Sequence, residues 1–426
     1  MTSLKVFRSG SPEFDTELVR LTRRGEQDLN AVEGVVREIL ANIRNTGDAA
    51  LTHYVEKFEQ RRPSPLFERD YGGVQALAGL DSTVRAALEQ ARDRIHRYHV
   101  RQSEKLGSFD TTEDGVFLAS RVSPLASVGV YAPGGKALYP SSVLMTAVVA
   151  EVAGVSEIIL ACPNPSPEVR AAAHLAGVTG LLNAGGAQAV AALAYGTETV
   201  PRVAKIVGPG NLFVTCAKRL VFGDVSIDGL AGPSEILVVA DDSADPKVVA
   251  ADLLSQAEHD EAAYPLLVCS SAEVLAKVQI ELRLALETLP RKAVAAASIE
   301  QHGAAFLVAN RSDLAKIADQ LAVEHVSIQC ENPRELADAI RHAGAIFLGH
   351  ETPEAAGDYM AGPSHVLPTG GAARFGAPLG VYDFVSRTSL IGYSKEALAA
   401  QAPAITALAG AEGFEAHARA VKVRLR

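Results

Sequence analysis

Ser127-Val-Gly-Val-Tyr131-Ala-Pro-Gly134-Gly135-Lys136-Ala-Leu-Tyr139-Pro-Ser141-Ser142, an apolar run from Val143, and Glu157-Ile-Ile-Leu-Ala161 read as strand, loop, helix and strand. The pattern continues outward. Short buried-strand runs recur at Ala204–Val207, Glu235–Ala240, Pro265–Cys269, Ala304–Val308, Val326–Gln329 and Ala345–Leu348. Helical patterns such as Pro246–Glu261 and Ala272–Leu289 lie between them. This alternation predicts an α/β protein whose parallel sheets are covered on both faces. The span is too long for one sheet of usual width, so two lobes are expected. Residues 1–110 read as helical and charged, with apolar residues at helical spacing over Asp28–Glu59 and Asp81–Leu106. Ser394–Val423 is helical again after the Gly-rich stretch 370–380, a candidate arm against another subunit.

Composition narrows the function classes. The chain has 426 residues, 48% apolar and 21% charged, which excludes disorder, collagen and a disulfide-dense scaffold as descriptions of the whole. Forty basic against fifty acidic residues give a net charge of −10, which argues against general nucleic-acid binding but allows a local pocket for an anionic cofactor. Glu151 and Glu157 interrupt the most apolar stretch, Val143–Cys162, so no membrane span is expected. Met-Thr-Ser-Leu-Lys at the start has no apolar signal core behind it. The four cysteines form no CxxC pair, as suits reduced thiols in a cytoplasmic protein.

Several segments carry chemistry. The Gly134-Gly135-Lys136 loop suits close backbone approach to a phosphate or carboxylate at a helix N-terminus, or is merely a turn that needs glycine. It is not a Walker A loop, because Ala137 stands where Ser or Thr would hold magnesium. Gly208-Pro-Gly210-Asn211 fits only part of a dinucleotide fingerprint, since Phe213 takes the third glycine's place. Gln256 and His259 share one helix face and suit zinc or another divalent ion, or form a polar helix end. Glu324-His325 at a strand edge is either a proton-transfer pair or a surface dipeptide. Asp358 and His365 sit in the loop 357–371, whose Pro and Gly density excludes regular structure, as ligands or as a satisfied loop pair. Glu412-Gly-Phe-Glu-Ala-His417 means little alone.

Taken in order, Tyr131–Ser142, 185–189, Lys205–Asn211, 231–235, 254–260 and 357–374 closely resemble the blocks of the histidinol dehydrogenase family. The resemblance covers essentially the whole chain. It implies oxidation of L-histidinol to L-histidine through L-histidinal with two NAD+, the last step of histidine biosynthesis. It implies one Zn2+ per subunit and a homodimer of Rossmann-like lobes whose active sites are shared between subunits. The zinc ligands would be Gln256, His259, Asp358 and, from the partner chain, the position of His417. Glu324 and His325 match the catalytic pair. Ser234, His365 and Glu412 match substrate-contacting positions, alongside Gln256, His259, His325, Asp358 and His417, while Tyr131, Gln188 and Asn211 match NAD-contacting ones.

The implied domains are a helical N-terminal region, 1–125, joining the first lobe; an NAD-contacting lobe, 126–234; a zinc and catalytic lobe, 235–378; and an exchanged C-terminal helical arm, 379–426. Val323, Val326 and Ser327 around the catalytic pair, and Ser364 before His365, depart from the family's usual residues. The competing readings are a related zinc and NAD dehydrogenase of another small amino or sulfonated alcohol, or a metal-dependent hydrolase that needs neither Gln188 nor Asn211.

Overall fold

The computed structural model describes residues 3–25, 29–134 and 139–425. Gly135, Lys136 and Ala137 of the loop discussed above, and Asp28, fall outside them. The chain opens with strand β1 (Lys5–Arg8) and helix α1 (Pro12–Thr22), then a long helix α2 (Asn30–Glu59) interrupted at Gly47. A short strand β2 (Phe67–Glu68), helices α3 (Gly73–Gly79) and α4 (Ser82–Ser103), and a hairpin of β3 (Phe109–Glu113) and β4 (Val116–Pro124) follow.

The first lobe alternates β5 (Ser127–Tyr131), α5 (Pro140–Val152), β6 (Glu157–Ala161), α6 (Pro167–Leu175), β7 (Gly180–Leu182), α7 (Gly186–Tyr195), β8 (Lys205–Val207), α8 (Leu212–Val221) and β9 (Ser226–Ile227). Its sheet runs β2-β7-β6-β5-β8-β9, parallel except for β2. The second lobe alternates β10 (Glu235–Ala240), α9 (Pro246–Ala257), β11 (Tyr264–Cys269), α10 (Ala272–Thr288), α11 (Lys292–His302), β12 (Ala304–Leu307), α12 (Arg311–Leu321), β13 (His325–Gln329), α13 (Pro333–Asp338), β14 (Ala345–Leu348) and α14 (Glu354–Tyr359). Its parallel sheet runs β1-β12-β11-β10-β13-β14.

Each sheet is apolar on both faces because helices cover both. Val128, Val130, Ile158 and Leu160 pack under α4, α5 and α6, while Ile159, Ala161 and Ile206 pack under α2, α7 and α8. In the second lobe Leu237 and Val239 face α1 and α12, and Ile236 and Val238 face α9 and α10. The period of two in strand side chains divides one continuous apolar run between two cores.

The N-terminal region does not belong wholly to the first lobe. β1 pairs with β12 at the edge of the second sheet, and Phe14 of α1 packs edge-on against Phe306 at 5.2 Å. Residues 5–22 thus complete the second lobe, whereas the sequence suggests that 1–125 joins the first. The C-terminal region also begins with a strand, β15 (Val385–Tyr393), paired antiparallel along the whole of β4. Its polar Ser-Arg-Thr-Ser run lacks the apolar alternation that marks a strand in sequence. Helices α15 (Lys395–Ala411) and α16 (Glu415–Lys422) then pack mainly on each other. No helix among the described residues is long and apolar enough to cross a membrane.

Candidate active site between the lobes

In the second sheet the strand order reverses between β10 and β13, and the N-terminal ends of these neighbours bring Ser234, Glu235, Glu324 and His325 together. Ala322 closes α12 in the left-handed conformation and turns the chain toward β13. The Glu324 carbonyl accepts the Ala345 N–H at 2.8 Å, and Gly344 packs so close that a Cβ there would come to 2.5 Å from that carbonyl oxygen. The backbone of the Glu324-His325 pair is therefore fixed before any ligand arrives.

His325 is buried. Its Nδ1 lies 3.0 Å from the carbonyl oxygen of Glu235. A carbonyl only accepts, so Nδ1 carries the hydrogen and Nε2 is the basic nitrogen of the neutral ring. Glu324 sits on the Nδ1 side, with Oε2 at 3.4 Å, and the same oxygen accepts the Glu235 N–H at 2.9 Å. On the other side Nε2 faces Glu354 Oε1 at 3.6 Å. Burial opposes a charge on the ring, but Glu324, Glu354 and Asp358 outweigh it and raise the His325 pKa to about 10. Burial, helped by the charge of Asp358, pushes Glu354 up to about 7.

Asp358 lies one helical turn after Glu354 on α14, which runs to Tyr359 and so takes Asp358 out of the irregular loop expected over 357–371; both carboxylates share a face. Burial would raise the Asp358 pKa; the hydrogen bond and charge of His365, together with His325 and His259, hold it below the ordinary value. His365 Nδ1 is 3.5 Å from Asp358 Oδ1, and its Nε2 is 3.2 Å from Ser142 Oγ on α5 of the first lobe. The hydroxyl of Ser364 donates to the Met145 carbonyl at 2.8 Å. This departure from the family pattern thus anchors the same loop to the same helix. Ser327, another departure, donates to the buried Asp252 carboxylate of α9 at 2.8 Å, and Gln329 donates to it at 3.2 Å.

Gln256 is fully buried near the end of α9, and its Nε2 lies 3.1 Å from Nδ1 of the exposed His259. Gln256 Oε1 has no hydrogen-bond partner. A buried carbonyl oxygen left over beside an imidazole and a carboxylate is a donor set that suits zinc. Among the described residues, the one group of His, Cys, Asp and Glu whose candidate ligand atoms lie within 4.8 Å of one another is His325, Glu354 and Asp358, which overlaps the expected ligands only at Asp358. Glu412 and His417 are not brought to the site within one chain. Both are exposed on the C-terminal helices, where His417 packs on Phe414.

The expected NAD-contacting residues ring the crevice where the first sheet reverses direction, between β5 and β8, the usual place for a ligand in such sheets. Tyr131 ends β5, and its buried hydroxyl accepts the Gly186 N–H at 3.0 Å at the start of α7. Gln188 is buried in the first turn of α7. Asn211 caps α8, accepting from Phe213 N at 3.1 Å and Val214 N at 3.2 Å. Gly208, with φ +113°, packs on Tyr131, and a Cβ there would stand 2.2 Å from the Tyr131 carbonyl oxygen. Beside this crevice a cavity of about 670 Å³ opens between the lobes, lined by Pro209, Lys218, Gly232, Thr369 and Arg374 among others.

Three supporting residues escape a reading of the sequence. Arg24 and Glu235 form a buried two-point ion pair, at 2.8 and 2.7 Å, and Glu235 also accepts the Gly370 N–H at 2.7 Å and the Glu324 N–H at 3.2 Å. Nothing local in the sequence links positions 24 and 235. Glu354 did leave a signal, its four-residue spacing from Asp358.

A family model described as histidinol dehydrogenase matches residues 22–425. A histidinol dehydrogenase of Syntrophotalea carbinolica is 49% identical over 420 residues, covering 97% of each chain. One from Cupriavidus pinatubonensis is 46% identical over 434 residues, covering 100% of this chain and 98% of that one. The crystal structure of histidinol dehydrogenase from Elizabethkingia anophelis superposes with a TM-score of 0.93 at 32% identity, covering 100% of this chain and 98% of that chain.

Proposed function

Since the chain belongs to the histidinol dehydrogenase family, we propose that His325 is its general base, that Glu324 activates water, and that the remaining residues of the seam hold substrate and cofactors. Members of this family are NAD-dependent oxidoreductases that catalyse the final step of histidine biosynthesis, and this chain is one of them. The reaction takes two hydrides from one carbon. The alcohol becomes an aldehyde, water adds to give a gem-diol, and the diol becomes the acid. Each hydride departs only as an O–H proton is removed, and a positioned base is typically worth about 10²–10⁴-fold per step. The observation that carries the assignment is the lock of His325 Nδ1 on the Glu235 carbonyl, which leaves Nε2 as the nitrogen that would take the proton once bound cations screen the carboxylates that raise the ring's pKa.

Gln256, His259, Asp358 and the partner subunit's His417 would hold zinc, and Tyr131, Gln188 and Asn211 would line the NAD site. When bound, zinc would take up substrate nitrogens and screen the charge of Asp358, and NAD+ would accept the hydride. Ser234, His365 and Glu412 would contact L-histidinol. His365 is already oriented by Asp358 and Ser142, so the chain supplies a preformed polar wall. A homodimer is supported by the apolar residues left exposed at the C-terminal end: Ile391 on β15, Leu408 on α15, Phe414 before α16, and Val423 after it. The four free, buried thiols fit a cytoplasmic setting.

Purified protein with L-histidinol and NAD+ should give two NADH per histidine, and a chelator should stop it. His325→Asn should slow oxidation of both L-histidinol and L-histidinal, while Glu324→Gln should mainly stall the aldehyde. Wild-type acid formation by Glu324→Gln would overturn the role given to Glu324.

A further inference from the structure

Glu354 is the buried ionisable group of the site that the mechanism above leaves unused. It is 2% exposed at the first position of α14. Its Oε2 lies 3.3 Å from the Ser255 hydroxyl, whose one hydrogen is shared with the Asp252 carbonyl at 2.8 Å, whereas its Oε1 is buried with no hydrogen-bond partner and lies 3.6 Å from His325 Nε2. A buried carboxylate oxygen without a donor carries a desolvation cost, and a native structure retains such a group for a reason. The groups whose charges act on it are His325, Asp358 and Glu324, so the imidazole is its one cationic neighbour among them.

We infer that Glu354 is a positioning residue for His325, holding the protonated ring through Nε2 in each of the two oxidations. Nδ1 is already occupied by the Glu235 carbonyl, and Phe347 lies against the ring at 5.9 Å between centroids. Rotation of the ring is therefore restricted, and a proton arriving at Nε2 meets the open Oε1. While the ring is neutral, neither Nε2 nor a carboxylate oxygen has a hydrogen to donate, and the two stand 3.6 Å apart without a bond. Once Nε2 gains its proton, closing a few tenths of an ångström makes a charge-assisted bond. Glu354 thus favours the imidazolium over the neutral ring and keeps Nε2 aimed into the site. Ser255, which faces the other oxygen, adjoins Gln256, so the carboxylate packs on the helix that carries one of the expected metal ligands.

This inference rests on His325 being the base, and a double-mutant cycle separates the two ideas. Glu354→Gln keeps the shape of the side chain and removes its charge. It should lower kcat about 10–100-fold with both L-histidinol and L-histidinal, the size of one lost charge-assisted hydrogen bond. KM should stay within about twofold, and zinc per subunit, read by elemental analysis, should be unchanged. Glu354→Asp should recover part of the loss. In the His325→Asn background Glu354→Gln should have no further effect, because its partner is gone. Wild-type kcat in Glu354→Gln, an equal further loss in the double variant, or loss of zinc would each overturn the inference, the last by making Glu354 a metal ligand. A wild-type kcat in His325→Asn would overturn the base assignment itself. If Glu354→Gln does not fold, the same cycle is read with Glu354→Asp, whose kcat should fall in the wild-type background and be unaffected in the His325→Asn background.

Discussion

Replacing Glu235 by leucine tests how the site is fastened. Glu235 is 1% exposed and accepts four hydrogen bonds: two from Arg24, one from Gly370 N and one from Glu324 N. The Arg24 side chain is fully buried, and its remaining partners are the carbonyls of Leu21, Leu321 and Ala322. Glu235→Leu leaves that guanidinium without a counter-charge. Breaking one side of a buried pair costs about 3–5 kcal/mol, roughly two to three and a half powers of ten in the folding equilibrium. The double variant Arg24→Met/Glu235→Leu should recover most of the loss, because it removes both desolvated charges together. The assay is urea unfolding followed by circular dichroism, read on the transition that carries the second lobe. A loss under about 1 kcal/mol in Glu235→Leu, or a double variant as unstable as the single one, would refute the claim that this pair fastens the site.

Gly208→Ala forces a Cβ toward the Tyr131 carbonyl and strains a left-handed backbone, so it should raise the KM for NAD+ well above any change in the KM for L-histidinol, read from initial rates. Asp252 is buried, and burial raises its pKa. The folded state therefore binds the proton more tightly than the unfolded one, and wild-type stability, complete below the ordinary aspartate range, falls as pH rises through the raised value. Asp252→Asn does not titrate, so its Tm should gain on the wild type across that window and hold a constant lead above it. A lead independent of pH would contradict the burial argument. His417→Ala should be inactive alone, yet mixing it with His325→Asn should restore activity in hybrid dimers that contain one intact site. No recovery after subunit exchange would exclude a shared site.

Much of this protein is legible locally. The runs of β5, β6, β10 and β11 show in sequence as short apolar segments, because a strand buried on both faces must be apolar throughout. Asp358 and His365 stand out as ionisable groups in a segment rich in Pro and Gly, although Asp358 lies on α14 and not in the loop, and Gln256 and His259 stand out by their spacing of three, although α9 ends at Ala257, before His259. The strands β1 and β15 stay hidden. Both are edge strands with exposed side chains, and their pairing with β12 and β4 depends on residues far along the chain.

The sequence alone determined the α/β alternation, the absence of a cysteine metal module, and the family, since these depend on residue types at short spacing. Only the tertiary structure decided which nitrogen of His325 is basic, that Arg24 fastens Glu235, and that Glu354 faces the ring. Each is a contact between backbone or side-chain atoms on different elements, and burial gives such contacts their strength by withdrawing them from water. Spacing along a chain carries no record of which groups will share that dry volume.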